Sequence, residues 1–202
     1  MKIAGVLLAG GQSQRMGGGD KCLKLLAGRP ILAHVIERAQ PQVDALVLNA
    51  NGDPARFAGF GLAVVGDATA GFAGPLAGVL AGLDWAAKNL PDAELVASFA
   101  TDAPFLPRDL VRQLAVVLEE GGFDLACAQS SDQAHPVFGL WQVSLRDNLR
   151  QALADGIHKV DRWTARFKLV EVEFPVDPVD PFFNTNRPED LAEAEKLASV
   201  AG

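Results

Sequence analysis

Cysteine is scarce in this chain, with two in 202 residues, and Cys22 and Cys127 lack the C-x-x-C spacing of a metal or redox pair. The three histidines do not cluster along the sequence either, so no zinc site is signalled. A disulfide framework is excluded as the source of stability, and a chain this long buries roughly 70% of its unfolded surface without one. Long apolar runs are also missing. The run at 3–8 is broken by glycine, short of the about 7–15 apolar residues of a signal-peptide core and the roughly 18 of a membrane span. A soluble protein of a reducing compartment is the expectation. Positive charge is in deficit, 18 Lys and Arg against 25 Asp and Glu for a net charge of −7. Nucleic acids and anionic membranes demand clustered cations, so neither is an expected partner. With 49% hydrophobic and 21% charged residues the composition is globular rather than disordered. Length, the absence of internal repeats and the absence of a long polar linker predict one domain over 1–202.

What is present is an alternation of strand-like and helix-like segments. Residues 3–9 form an apolar run that stops at Gly10-Gly11 and reads as a buried strand entering a loop. Leu32, Val35, Ile36 and Ala39 repeat at helical spacing before Pro41, and 43–49 and 62–66 are short strand-like runs. Leu76, Val79, Leu80, Leu83 and Leu90 mark a helix face with Pro75 in its first turn, and 94–101 is a strand ending at Asp102. A helix beginning near Pro107 carries Leu110, Val111, Leu114, Val117 and Leu118, and Gly121-Gly122 stops it before a strand at 123–129. The last third is less regular: strands at 137–143 and 168–174, a helix through Leu145, Leu149 and Leu153, and a final helix opened by Pro188. PVDPVDP at 175–181 reads as a surface turn, and Trp85, Trp141 and Trp163 as core or half-core residues. Strand and helix in alternation predict an α/β fold with a mostly parallel sheet covered on both faces.

The segment LAGGQSQRMGGGDK, Leu8 to Lys21, places five glycines, one Arg and one Lys directly after the first strand. In an open α/β sheet, ligands sit outside the carboxyl ends of the strands. Glycines let successive backbone N–H groups approach an anion, while Arg15 can fork onto phosphate oxygens and Lys21 can act as a point charge. The segment is neither a Walker A loop nor a G-x-G-x-x-G dinucleotide fingerprint at any register. A plain surface loop is the competing reading, and the cation pair within it favours a phosphate site.

L-A-G-G-x-S-x-R-M-G-G-x-D-K resembles the phosphate-binding signature of nucleotidyltransferases, and this version is most similar to that of the molybdenum cofactor guanylyltransferases. Further blocks follow in family order: VLNAN at 47–51, GPLAG at 74–78, TDAPFLP at 101–107, HPVFGLW at 135–141 and FFNTNRPEDL at 182–191. The resemblance implies a Rossmann-like three-layer domain that transfers GMP from Mg-GTP to the phosphate of molybdopterin and releases pyrophosphate. It implies Mg²⁺ as cofactor, GTP and molybdopterin as substrates, contacts with cofactor-insertion factors and molybdoenzymes, and a monomer. The alternatives are the same chemistry with another base or acceptor, as in a cytidylyltransferase or sugar-phosphate enzyme, or a nucleotide-binding regulator without turnover.

By this resemblance Leu8, Ala9 and Gly10 line the guanine and phosphate side, while Gly11, Arg15 and Lys21 face the triphosphate. Arg15, Lys21 and Asp102 carry the catalytic roles, with Asp102 as the metal ligand; an Asp capping the following helix is the structural alternative. Asn49 and Asp67 are directed at the guanine nucleotide, where a carboxylate can accept from guanine N1 and N2, a pair of donors cytosine lacks. Ordinary turn chemistry would also place an Asn and an Asp there. Asn184 and Asn186 are assigned to the pterin substrate, although Asn186 and Glu189 also have the spacing of an N-cap and its partner. Arg187 stands where the family pattern N-x-N-T-P-E has Thr. His135 is placed on the second substrate's side, with a structural role the stronger expectation.

Overall fold

The computed structural model describes residues 1–10, 20–67 and 74–198. The order is β1 (Lys2–Leu8), a short hairpin of β2 (Leu25–Leu26) and β3 (Arg29–Pro30), α1 (Ile31–Ala39), β4 (Ala45–Asn49), β5 (Ala63–Val65), α2 (Pro75–Asn89) and β6 (Ala93–Ala100). There follow α3 (Leu110–Gly121), β7 (Leu125–Ser130), β8 (Gln133–Gln142), α4 (Arg146–Ala154), α5 (Val160–Thr164), β9 (Leu169–Glu173) and α6 (Pro188–Ala198). Seven strands form one sheet in the order β5-β4-β1-β6-β8-β7-β9, and β2 with β3 stands apart. Only β8 runs against the rest, pairing antiparallel to both β6 and β7.

Alternation along the strands assigns each side chain to one of two cores. Leu7, Leu48 and Phe99 face the layer built from α1, α3 and α6, with Ile31, Leu114 and Ala194 among its members. Val6, Val47 and Val96 face α2, α4 and α5, with Leu80, Leu153 and Trp163. This is the α/β three-layer architecture with a mostly parallel sheet, and it explains why the central strands read as nearly continuous apolar runs.

Helix α2 is apolar almost all round because it lies between the sheet and α4. It comes so close to the sheet that a β-carbon at Gly82 would stand 2.7 Å from two atoms of the Val6 side chain. A glycine here costs helix propensity and gives close packing of helix on strand.

The boundaries agree with the sequence reading in the first 130 residues, apart from α3, which begins at Leu110 rather than near Pro107. Three features differ. The five-residue α5 and the two-residue strands of the hairpin are too short to show a period. Strand β8 begins at Gln133, not 137, because it carries a bulge: Cys127 pairs with Gly139 but Ala128 pairs with His135. Residues 136–138 thereby loop out of the ladder, which is how a strand accommodates Pro136.

Two outcomes follow. Gly82→Ala should lower stability by about 1–3 kcal/mol in urea unfolding despite the better helix propensity of alanine, since overpacking against Val6 dominates; an unchanged midpoint would contradict this packing. Both cysteines are buried and free, and burial pushes their thiols up to about 12. Native protein at pH 8 should therefore react negligibly with a thiol-specific reagent, and both thiols should titrate once denaturant is added.

Candidate active site

The chain leaves β1 for β4 and β5 on one side, then returns to β6 on the other, so the strand order reverses between β1 and β6. A crevice at the carboxyl ends of the strands is expected at such a point. A cavity of about 810 Å³ opens there, reaching from Asn49 and Asp67 past Gly10 and Asp102 to His135 and Asn184. From β4 across β1 and β6 to β8 is three strand spacings, roughly 14 Å. The space is long enough for an extended ligand lying across the sheet edge.

At one end the last residue of β4, Asn49, is 3% exposed. Its carboxamide donates to the Val65 carbonyl at 3.3 Å and to Asp67 Oδ1 at 3.0 Å. Asn51 donates to Asp67 Oδ2 at 2.7 Å, and the Asp67 backbone N–H donates back to Asn51 Oδ1 at 2.9 Å. The Asp67 carboxylate is thus fixed from both sides, with lone pairs left on each oxygen for further donors. Gly78 on α2 makes room for this cluster, since a β-carbon there would meet Asn49 Oδ1 at 2.5 Å and Leu8 Cδ2 at 2.6 Å. Asn51 was not singled out from sequence; only its alternate spacing with Asn49 in VLNAN hinted at a pair.

In the middle, Lys21 Nζ donates to Asp102 Oδ2 at 2.6 Å and to Asn186 Oδ1. Both partners of this ion pair are largely shielded, with side chains 15% and 22% exposed. Leu8 and Ala9 flank the pair, in a small recess of about 60 Å³ shared with Thr101. The Asp102 carbonyl accepts from the Thr185 backbone N–H at 2.9 Å and from its hydroxyl at 3.0 Å, which brings the FFNTN segment onto the end of β6. Asp102 therefore caps no helix. Nor does Asn186 serve as a helix cap: the Asp190 carboxylate, not Glu189, accepts from the backbone N–H groups of Asn186 and Arg187, each at 2.8 Å. That frees the Asn186 carboxamide to face Lys21. Gly11 and Arg15 lie outside the described residues. Asp20, at the end of the glycine-rich segment, pairs with Arg56, a residue sequence reading missed.

A divalent cation suits this point in one way only. No group of three or more His, Cys, Asp or Glu side chains able to hold a metal occurs among the described residues. Asp102 offers a single carboxylate, with Oδ1 outside the Lys21 contact. Mg²⁺ binds through one or two carboxylates when substrate phosphates complete its shell, so the residues fit an ion that arrives with a polyphosphate.

The far wall is the β8 bulge, whose residues from His135 to Phe138 all line the cavity. Ser98, 1% exposed, secures it: its hydroxyl donates to the Val137 carbonyl at 2.6 Å and accepts from Trp141 Nε1 at 2.7 Å. His135 Nε2 lies 2.7 Å from Ser130 Oγ, and the ring stacks at 4.6 Å on Phe182. Burial pushes the imidazole below its ordinary value, against the opposing pull of Asp180 and Glu173. Asn184 joins this wall from the FFNTN segment.

Comparison with known proteins places the geometry in a family. Residues 5–170 match the family model described as MobA-like NTP transferase domain. A molybdenum cofactor guanylyltransferase of Bradyrhizobium sp. (strain ORS 278) is 58% identical over 199 residues, covering 98% of this chain and 94% of that one. One from Nitrobacter hamburgensis is 57% identical, covering 98% and 95%. Among solved structures, molybdopterin-guanine dinucleotide biosynthesis protein A from Archaeoglobus fulgidus superposes with a TM-score of 0.75 at 25% identity, covering 99% of this chain and 100% of that one. The chain belongs to the MobA-like NTP transferase family and, within it, to the molybdenum cofactor guanylyltransferases.

Proposed function

We propose that the chain, acting as one unit over 1–202 in the cytoplasm, transfers GMP from GTP to the phosphate of molybdopterin. The observation that carries this reading is a cavity with a braced carboxylate at one end, Asp67, and at its centre Asp102, which holds Lys21 in the recess beside it. The relatives' function supports the same donor and acceptor.

In this reading guanine sits at the β4–β5 end. The free lone pairs of Asp67 accept from N1–H and N2–H, and Asn49 and Asn51 hold the carboxylate in place. The triphosphate then runs along Leu8, Ala9 and Gly10 toward Lys21, with Gly11 and Arg15 of the same segment as further phosphate ligands. Lys21 exchanges its contact with Asp102 for phosphate oxygens. Asp102 is then the residue that would hold Mg²⁺, which when bound neutralises charge on the phosphates. Asn184 and Asn186 are the residues we assign to the pterin.

The acceptor phosphate is already ionised at neutral pH, so no general base is needed. One of its oxygens bonds to the α-phosphorus of GTP, the bond from that phosphorus to the bridging oxygen breaks, and pyrophosphate leaves with the electron pair. Negative charge grows on the leaving group, so cations and N–H groups fixed beside it lower the barrier.

Incubation with molybdopterin, Mg²⁺ and either GTP or CTP should give dinucleotide and pyrophosphate with GTP alone. Product with CTP alone would overturn the base assignment, and no product with either would overturn the acceptor. Lys21→Ala and Asp102→Ala should each lower kcat by roughly 10²–10³; full Mg²⁺-dependent turnover in Asp102→Ala would remove it as the metal ligand. Asp67→Asn should raise the KM for GTP roughly 10–100-fold, the worth of a hydrogen bond to a charged group, with the acceptor KM unchanged.

A further inference from the structure

His135, Ser130 and Asp180 look at first like a hydrolytic triad, but their order is wrong for one. In a triad the imidazole bridges Ser and Asp. Here the hydroxyl is the bridge: Ser130 Oγ donates to Asp180 Oδ1 at 3.1 Å and meets His135 Nε2 at 2.7 Å. Ser130 is also only 1% exposed, so it has no access as a nucleophile.

The bridge decides a proton position. A serine hydroxyl has one hydrogen, and a carboxylate can only accept. With that hydrogen spent on Asp180, Ser130 Oγ must accept from His135, so Nε2 carries the ring proton. In the neutral ring the other nitrogen, Nδ1, is then a bare acceptor. Among the described residues Nδ1 has no hydrogen-bond partner and is not sealed from solvent, on a residue whose bulged strand forms the cavity wall.

We propose that His135 is a specificity residue for the acceptor substrate, its Nδ1 lone pair taking a hydrogen bond from an N–H or O–H on that molecule. The assignment to the acceptor rests on the functional reading above, in which the base lies at the opposite end of the cavity, three strands away. The inference adds a chemical requirement: the acceptor presents a donor, not a lone pair, to this wall. Asp180 makes the arrangement part of the FFNTN segment as well, because the same Oδ1 accepts from the Phe182 backbone N–H at 2.9 Å. The ring that reads the acceptor and the start of the segment that carries Asn184 are thereby held by one carboxylate.

The first test needs no substrate. In protein labelled with ¹⁵N-histidine, the His135 ring signals, identified by their loss in His135→Phe, should show Nε2 protonated and Nδ1 unprotonated at pH 7.5. The opposite tautomer would overturn the proposal whether or not the enzyme transfers GMP. Adding molybdopterin should shift the Nδ1 resonance, and adding GTP alone should not; the reverse pattern would also overturn it. In kinetics, His135→Phe should raise the KM for molybdopterin about threefold to tenfold, the worth of one neutral hydrogen bond, with the KM for GTP unchanged. His135→Asn, which can place a carbonyl oxygen near the former Nδ1, should recover part of the loss. Equal damage to both KM values, or no recovery in Asn, would mean that the ring only packs. Failure of wild-type protein to form product from molybdopterin would remove the function and leave the tautomer result standing.

Discussion

A sheet buried on both faces has to stay apolar until its strands end, and there every polar group still out of water needs a partner. The structure meets that demand almost entirely at one edge. Of the six buried polar residues among those described, Asn49, Ser98, Thr101, Ser130, Thr164 and Thr185, all but Thr164 lie at or near the carboxyl ends of β4, β6 and β7 or in the segment packed on them. Each binds across an element boundary: Asn49 to Asp67, Ser98 to the β8 bulge, Thr101 to the Leu8 carbonyl, Ser130 to Asp180, and Thr185 to the Asp102 carbonyl. No buried side-chain nitrogen or oxygen among the described residues lacks a partner. An unmet group at these positions would cost about 1–3 kcal/mol, so the bonds hold the edge to one arrangement.

That arrangement is what makes the cavity an instrument rather than a gap. The side chains at the cavity are braced by their neighbours. Asp67 is aimed by Asn49 and Asn51, Asp102 by the hold of Thr185 on its backbone, and the β8 wall by Ser98. Three segments far apart in sequence, around 49–67, 102 and 184–186, are thereby brought to fixed positions on one edge. A chain carrying a net charge of −7 cannot rely on long-range attraction to draw in a polyanion. Its binding has to come from local cations and N–H groups held in place beforehand, which is what such bracing supplies.

Much of this was legible in the sequence, though unevenly. Strands and the longer helices were visible because double-sided burial and helical periodicity leave strong patterns, as in β1, β6, α1 and α3. Asn49, Asp67 and Asp102 were visible because they stand at strand ends, where a polar residue breaks an apolar run. Their supports were not. Ser98 sits inside an apolar strand and Arg56 in a short irregular segment, and neither has a spacing that betrays its partner. The bulge in β8 depends on a register shift against β7, a tertiary fact that the run HPVFGLW does not encode by period. Cap spacing between Asn186 and Glu189 offered a structural alternative to the pterin role, but it is Asp190, one residue later, that reaches the backbone.

The Lys21–Asp102 pair shows why the two kinds of residue have to coexist. In the proposed function Lys21 takes phosphate and Asp102 a metal, yet a cation repels a metal placed beside it and a carboxylate repels phosphate. Left without substrate, the two neutralise each other at 2.6 Å in a largely shielded position, so neither charge stands desolvated and alone. A metal–polyphosphate brings both complementary charges together and can replace the two halves of the pair at once. Metal alone or phosphate alone would satisfy one member and strand the other. In the function proposed above, joint replacement favours the complete metal–nucleotide over either component, and Asn186, bound to Lys21, joins the pair to the segment that carries Asn184 to the cavity wall.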